Sequence, residues 1–192
     1  HTVLSPVAFL SGVNIVRDAC HHEVISKYIH KVQFEELMQT LDLPMDELEK
    51  FAHDVLERFD NPYVDHQVTS IMLNSFPKFC ARDLPGVKTY LERKGELPAG
   101  LVFGLAAIIT YYKGGKREDG VEIVPNDAQE IMDLLKELWA TNDTQKLVDG
   151  VLGAEFIWSE NLNEIKGLNA LVKTYVDLIQ EKGMLEAVKT IL

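Results

Sequence analysis

Long apolar runs and cysteine are both scarce in this sequence of 192 residues. The longest apolar stretch, residues 101–112, is too short to span a bilayer, which takes about 20 residues, and a buried central helix is expected there. The two cysteines are too few for a disulfide framework, so a reduced, cytoplasmic setting is expected. No basic region followed by an apolar run opens the chain, and no signal peptide is expected.

Positive charge is also in short supply, with 19 Lys and Arg against 30 Asp and Glu and a net charge of -11. This balance argues against a nucleic-acid partner or an anionic membrane surface, because both require clustered cations. Nucleotide-binding signatures are missing as well: no G-x-G-x-x-G follows a strand, and the run Gly114-Gly115-Lys116 lacks the spacing of a phosphate loop. No nucleotide-binding domain is therefore expected within this chain.

Metal-ligand and nucleophile patterns are not found either. His21, His22 and His30 lack the spacing of a zinc motif and have no cysteine pair beside them, so no metal site is predicted. Cys80 lies in no nucleophile signature. What remains is an ordinary globular composition, 46% hydrophobic and 26% charged, of a size that fits one domain.

Helical periodicity dominates the apolar pattern, and strand patterns are nearly absent. The sequence predicts an all-α domain of about eight or nine helices, with Ser5 as the cap of the first and Gly95 as the stop of the fifth. The predicted spans are residues 7–19, 22–41 with a break near 30–33, 44–60, 61–82 with a short break, 84–94, 98–112, 127–140, 144–158, 161–182 and 185–191. Residues 114–125 are predicted to be irregular.

Residues 61–85 carry a polar ridge inside an otherwise apolar segment. Its members recur at spacings of three, four and eight, which on a helix places side chains on one face; they are His66, Gln67, Ser70, Asn74, Lys78 and Arg82. One interpretation is a solvated helix face, which the pattern alone favours. The other is a substrate-facing wall whose two cations hold an anionic or polyhydroxyl ligand.

Three stretches carry a family resemblance: His1-Thr2, NPYVDHQVTSIMLNSFPKFCARDLPG and ELPAGLVFGLAAIITYYKG. With them the chain resembles the C-terminal half of the polyol-specific long-chain dehydrogenases, the mannitol dehydrogenase family, over nearly its whole length. The resemblance implies a multi-helix C-terminal substrate domain of the 6-phosphogluconate dehydrogenase C-terminal-like type, spanning residues 1–192. It also implies an N-terminal Rossmann domain that binds NAD and is absent from this chain.

Within that family the sequence is most similar to the branch that interconverts D-altronate and D-tagaturonate in hexuronate catabolism. The resemblance thus implies the substrate domain of an NAD-dependent oxidoreductase, inactive by itself. Three alternatives remain: a mannonate/fructuronate or mannitol/fructose enzyme of the same family, a 6-phosphogluconate-dehydrogenase-like domain for another hydroxy acid, and a free-standing helical interaction module.

The resemblance also implies site residues. The family signature Lys-x4-Asn-x2-His ends at His1, which becomes the catalytic candidate, while its Lys and Asn would lie upstream. A substrate-binding Lys follows an L-[DN]-[GS] break and corresponds to Lys78. Mannitol-specific members carry an Arg eight residues earlier, where this sequence has Ser70. Arg82 or Lys78 is expected to hold a sugar-acid carboxylate, with Asn74 and His66 lining the site.

Overall fold

A computed structural model describes residues 1–192, and it contains helices without any β-strand. The predicted all-α class is therefore confirmed. The helices, in chain order, are α1 (Leu4–Leu10), α2 (Val16–His21), α3 (Glu23–His30), α4 (Met45–Phe59), α5 (Val68–Ile71), α6 (Ser75–Arg82), α7 (Leu84–Lys94), α8 (Ala99–Tyr111), α9 (Gln129–Ala140), α10 (Thr144–Leu152), α11 (Glu155–Trp158), α12 (Leu168–Lys182) and α13 (Met184–Lys189). None of them is both long and apolar enough to cross a membrane.

The most apolar helix, α8, forms the centre of the molecule, as its composition predicts. Every residue from Gly100 to Tyr111 is buried, with α12 and α1 packed against it. Gly104 permits the closest approach, since a Cβ atom there would lie 2.4 Å from Cβ of Val3. The start of the chain is thereby held directly against the backbone of the central helix.

The predicted break in the second helical segment is a change of helical pitch. After α3 the chain continues as a π-helix, Lys31–Glu36, and then as a 3-10 helix, Leu37–Thr40. This path brings the buried carboxylate of Glu36 to the start of α8, where it accepts hydrogen bonds from Gly100 N at 2.7 Å and Leu101 N at 2.8 Å. Glu36 thus caps a helix that lies far away in sequence.

Several predicted helices are shorter in the structure, because turns that do not disturb the apolar spacing interrupt them. The predicted helix 7–19 is wrong: α1 ends at Leu10, and Gly12 takes a left-handed φ of 93° before α2 begins. Ser5 is not a cap but a residue inside α1, whose hydroxyl donates to His1 O at 2.8 Å. The predicted helices 144–158 and 161–182 likewise break, at Gly153 and before Leu168.

Helix α4 is the most loosely held long helix. Only Leu48 and Ala52 are buried among its fifteen residues. Together with Met38 they form a small core that is separate from the main core of 46 buried residues.

Candidate functional site

Residues 61–85 fold as two short helices joined by a sharp turn. The chain first runs without helix through His66, whose carbonyl accepts a hydrogen bond from Val16 N at 2.9 Å, while Val68 N donates to Asn14 O at 2.9 Å. These two bonds fasten the segment to the turn between α1 and α2. The polar ridge therefore does not lie on one helix: His66 precedes α5, Asn74 ends the turn before α6, and only Lys78 and Arg82 share a face of α6.

The turn before α6 is held from outside the segment. Asn74 has left-handed backbone angles, φ 55° and ψ 48°, which asparagine tolerates better than most residues. Its N–H donates to Asn126 O at 3.0 Å, and Ser75 N donates to the Tyr112 hydroxyl at 3.1 Å. That hydroxyl in turn donates to Asp127 at 2.5 Å. The residues around Asp127 thus fix where α6 begins.

Lys78 lies half-buried on α6, and its Nζ donates to Ile71 O at 2.8 Å. Burial lowers the pKa of this amine, the positive charge of Arg82 lowers it further, and Asp127 opposes both effects. An ammonium has three donors, so after the bond to Ile71 two remain for a ligand. The amine is oriented by the turn of α5 before any ligand arrives.

Arg82 lies one helical turn beyond Lys78 and is exposed. None of the ion pairs in the structure involves it. Its planar guanidinium is therefore free to bind a carboxylate through two parallel hydrogen bonds.

His1 and His66 are brought together from opposite ends of a long stretch of sequence. Their ring centroids lie 5.5 Å apart, and the His1 ring also lies 4.2 Å from that of Phe59. Both histidines are exposed. The structure thus groups the predicted residues in two sets, His1 with His66, and Asn74 with Lys78 and Arg82.

Asp83 connects the two sets, because it follows Arg82 directly and lines the same cavity as His1. The cavity measures about 250 Å³, and His1, Gln33 and Asp83 are its polar members. Asp83 is buried, and its Oδ2 has no hydrogen-bond partner. Burial raises the pKa of this carboxyl to about 6.

Asp83, Tyr112 and Asp127 were not predicted as site residues. The side chain of Asp127 accepts from the Tyr112 hydroxyl, as well as from Ala128 N at 2.8 Å. The tyrosine and Ser75 are 37 residues apart, and no local pattern indicates their pairing. No group of three His, Cys, Asp or Glu side chains is close enough to hold a metal ion.

Comparison with known proteins gives one consistent picture. Residues 1–180 match the family described as mannitol dehydrogenase C-terminal domain. The chain is 77% identical over 192 residues to the altronate oxidoreductase of Bacteroides thetaiotaomicron, and 41% identical over 197 aligned positions to that of Pectobacterium atrosepticum. These alignments include 100% and 98% of this chain, respectively, but only 40% of the length of either relative.

Solved structures show the same helical fold. Pseudomonas fluorescens mannitol 2-dehydrogenase, solved as a ternary complex with NAD and D-mannitol, superimposes with a TM-score of 0.84 at 19% identity. That match covers 100% of this chain and 38% of the dehydrogenase chain. A substrate-free D-sorbitol dehydrogenase gives a TM-score of 0.79 at 20% identity, over 98% of this chain and 38% of its own.

Proposed function

The chain belongs to the mannitol dehydrogenase C-terminal domain family, and from this premise we propose that it is the substrate domain of an NAD-dependent altronate oxidoreductase. The full-length enzyme would interconvert D-altronate and D-tagaturonate. The observation that carries the proposal is the 77% identity to an altronate oxidoreductase along the whole chain. Because the chain spans 40% of that relative, the reaction itself is assigned to the longer protein.

A sugar-acid substrate suits the α6 face. Its carboxylate would bind the free guanidinium of Arg82, and the remaining donors of Lys78 would bind a hydroxyl or the second carboxylate oxygen. Ser70 stands where mannitol-specific members carry an Arg, and its hydroxyl already donates to Gln67 O at 2.7 Å. In this sequence the arginine near Lys78 is therefore Arg82, which follows the lysine, and not a residue that precedes it.

His66 and Asn74 would complete the recognition of substrate hydroxyls. Asn74 lies at the start of α6, four residues before Lys78, and its backbone is fixed by the bond to Asn126. His66 lies beside His1. Sugar acids carry several hydroxyls in a defined stereochemical order, and amide and imidazole groups both donate and accept hydrogen bonds. Such a set would orient the substrate rather than merely attract its charge.

His1 is the member of the catalytic signature that this chain would contribute. Its exposed ring, tilted against Phe59 and beside His66, would orient the reacting hydroxyl by a hydrogen bond, while the signature's Lys and Asn would lie upstream. NAD, when bound, supplies or accepts the hydride. A Rossmann domain upstream of His1 would hold the cofactor, since this chain has no strand-to-helix glycine turn of the dinucleotide-binding type.

The direct test is an assay of the full-length protein with NADH and either D-tagaturonate, D-fructuronate or D-fructose, followed by NADH absorbance. The highest kcat/KM is expected with D-tagaturonate. A preference for fructuronate or fructose would instead assign a different substrate within the family. No turnover of any of the three by a folded protein would favour a helical interaction module.

The role of the α6 face is tested by Lys78→Ala in the full-length enzyme. Loss of a hydrogen bond from a charged group costs about 1.5–3 kcal/mol, which corresponds to roughly a 10- to 100-fold lower kcat/KM. Lys88→Ala is the matched control, because this lysine on α7 is exposed and pairs with Glu160 at 2.5 Å. Equal kcat/KM values for the two variants would remove Lys78 from the site.

A further inference from the structure

Helix α4 and the segment before it leave an apolar groove open, formed by Met38, Leu41, Leu48, Phe51, Val55 and Phe59. We propose that this α4 groove binds the chain segment that directly precedes His1 in the full-length protein. The inference rests on one part of the proposed function, namely that the chain is a domain of a longer enzyme. It does not depend on which sugar acid that enzyme reduces.

The groove is unusually apolar for an open surface. Thirteen of the sixteen residues lining its cavity of about 250 Å³ are hydrophobic. Phe51 is 59% exposed and Leu41 49%, and between them in sequence Leu43 is 57% and Met45 48% exposed. These four are more than a third of the eleven large hydrophobic residues exposed along the whole chain, although they lie within eleven positions. Contiguous exposed apolar surface of this kind marks a binding site.

The weak packing of α4 supports the same conclusion. Its only buried residues, Leu48 and Ala52, belong to the three-residue core, and its contact with the main core is made by the partly buried Leu56 and Phe59. An isolated helix of this length is marginal in water. Its apolar positions do follow a helical stripe, which includes Leu48, Phe51, Ala52, Val55 and Phe59. Leu48 and Ala52 of this stripe are buried against Met38. Phe51, at 59% exposed, and Val55 line the groove instead.

The position of His1 identifies the occupant. His1 lines the cavity, and its ring packs on Phe59 at the end of α4. A residue attached to His1 therefore starts at the groove, where tethering gives it a high effective concentration compared with a second protein molecule. The relatives provide such a segment, since 60% of their length lies outside the match, by subtraction of 40% from the whole.

Asp83 indicates the chemistry that the segment must carry. Its Oδ2 is buried without a hydrogen-bond partner, a state that native proteins rarely leave unsatisfied. Asp83 lines the cavity together with His1, so a backbone N–H or cationic side chain of the preceding segment would enter the cavity that this carboxylate faces. The geometry thus fits an amphipathic segment with apolar side chains toward Phe51 and a donor toward Asp83.

Site-specific photocrosslinking in the full-length protein tests the proposal. Phe51 is replaced by p-benzoylphenylalanine, the protein is irradiated without substrate, and the crosslinked peptides are mapped by mass spectrometry. Crosslinks within one chain to residues directly before His1 are expected. The control carries the same group at Phe156 on α11, which is 54% exposed and is expected to give no crosslink to that segment.

Two results would overturn the inference. Crosslinks from position 51 between two copies of the chain would show that the groove is a subunit interface, and crosslinks only to distant residues would show another occupant. If the variant at position 51 does not fold, the crosslinker is placed at Leu41 and the same outcomes apply. An enzyme that prefers fructose but gives the expected crosslink would refute the substrate assignment alone, and an active altronate oxidoreductase without the crosslink would refute the docking alone.

Discussion

Helices α8 and α4 are similar in length, yet they stand at opposite extremes of burial. All but one of the thirteen residues of α8 are buried, whereas two of the fifteen in α4 are. Helix α8 has neighbours on every side and its first turn is capped by Glu36. Helix α4 has a partner on one side and the groove on the other. The contrast separates the part of the molecule that completes its own packing from a part that leaves apolar surface uncovered.

The largest expected loss of stability comes from truncating a buried side chain of α8. Phe103 is fully buried, with its ring centroid 5.4 Å from that of Tyr175 and 6.1 Å from that of Tyr28. Truncation of a buried Phe to Ala costs about 3–5 kcal/mol through lost burial and the cavity that remains. The free energy of unfolding of Phe103→Ala, measured by urea denaturation of the 192-residue chain, is expected to fall by this amount. A loss below about 1 kcal/mol would contradict the central place of α8.

Glu36→Ala is expected to have the next largest effect on stability, because it removes the connection between the π-helix Lys31–Glu36 and α8. The substitution leaves Gly100 N and Leu101 N without their acceptor, and a buried unsatisfied donor costs about 1–3 kcal/mol. Relief of the buried charge offsets part of this cost, so a net loss of about 2 kcal/mol is expected in urea denaturation. Glu36→Gln retains one amide acceptor and is expected to lose less; equal losses would show that the cap is unimportant.

Asp83→Asn is expected to change the pH dependence of stability. Burial raises the pKa of Asp83 from 3.8 to about 6 in the folded chain, so between these values the folded state holds a proton that the unfolded state releases. The stabilisation from this proton is complete below the unfolded pKa and is lost as pH rises toward 6. The unfolding free energy of the parent chain, relative to Asp83→Asn, should decrease by about 1–3 kcal/mol over that range.

The same measurement distinguishes an open groove from an occupied one. In the full-length protein a donor from the segment before His1 would stabilise the ionised Asp83 and bring its pKa back toward the ordinary value. The pH-dependent difference between parent and Asp83→Asn is then expected to shrink. In the 192-residue chain the amino group of His1 already lowers the pKa of Asp83 against the effect of burial, and in the longer protein this amine is an uncharged peptide nitrogen. A larger difference in the full-length protein would therefore indicate that nothing donates to Asp83.

Phe51→Ala has the smallest expected effect on the 192-residue chain. Exposed side chains contribute within about 0.5 kcal/mol of stability, and Phe156→Ala serves as the matched control of similar exposure. In the full-length protein the loss should become larger for Phe51 and remain small for Phe156, as measured by the shift in Tm. Equal small shifts at both positions would show that α4 has no further partner.

Much of the fold follows from apolar periodicity. The spans of α4, α7 and α8 were predicted within one or two residues, because their apolar spacing is unbroken and Pro44, Gly95 and Pro98 mark their limits. The helix predicted over 7–19 failed for the opposite reason. Its apolar residues keep a helical spacing across the turn at Gly12, so the pattern does not reveal that two helices meet there.

The candidate site also contains one part that follows from local sequence spacing and another that arises only from tertiary packing. The spacing of Lys78 and Arg82 predicts a shared face, because both belong to α6, whereas the left-handed turn at Asn74 takes that residue off the helix. The neighbourhood of His1 and His66, and the bonds from Ser75 to Tyr112 and on to Asp127, arise only from tertiary packing. What covers the α4 groove is likewise invisible in the pattern, since periodicity identifies an apolar stripe without identifying its partner.

The absence of a side chain at Gly104 has a mechanical consequence. Val3 rests where a Cβ of residue 104 would stand, so the first residues of the chain are braced against the most deeply buried helix. A bending motion between this domain and whatever precedes it cannot be absorbed within residues 1–4 without lifting Val3 from α8. Any such hinge is therefore expected upstream of His1. The contact at Gly104 would then act as a fixed point that keeps the distance from His1 to α6 constant.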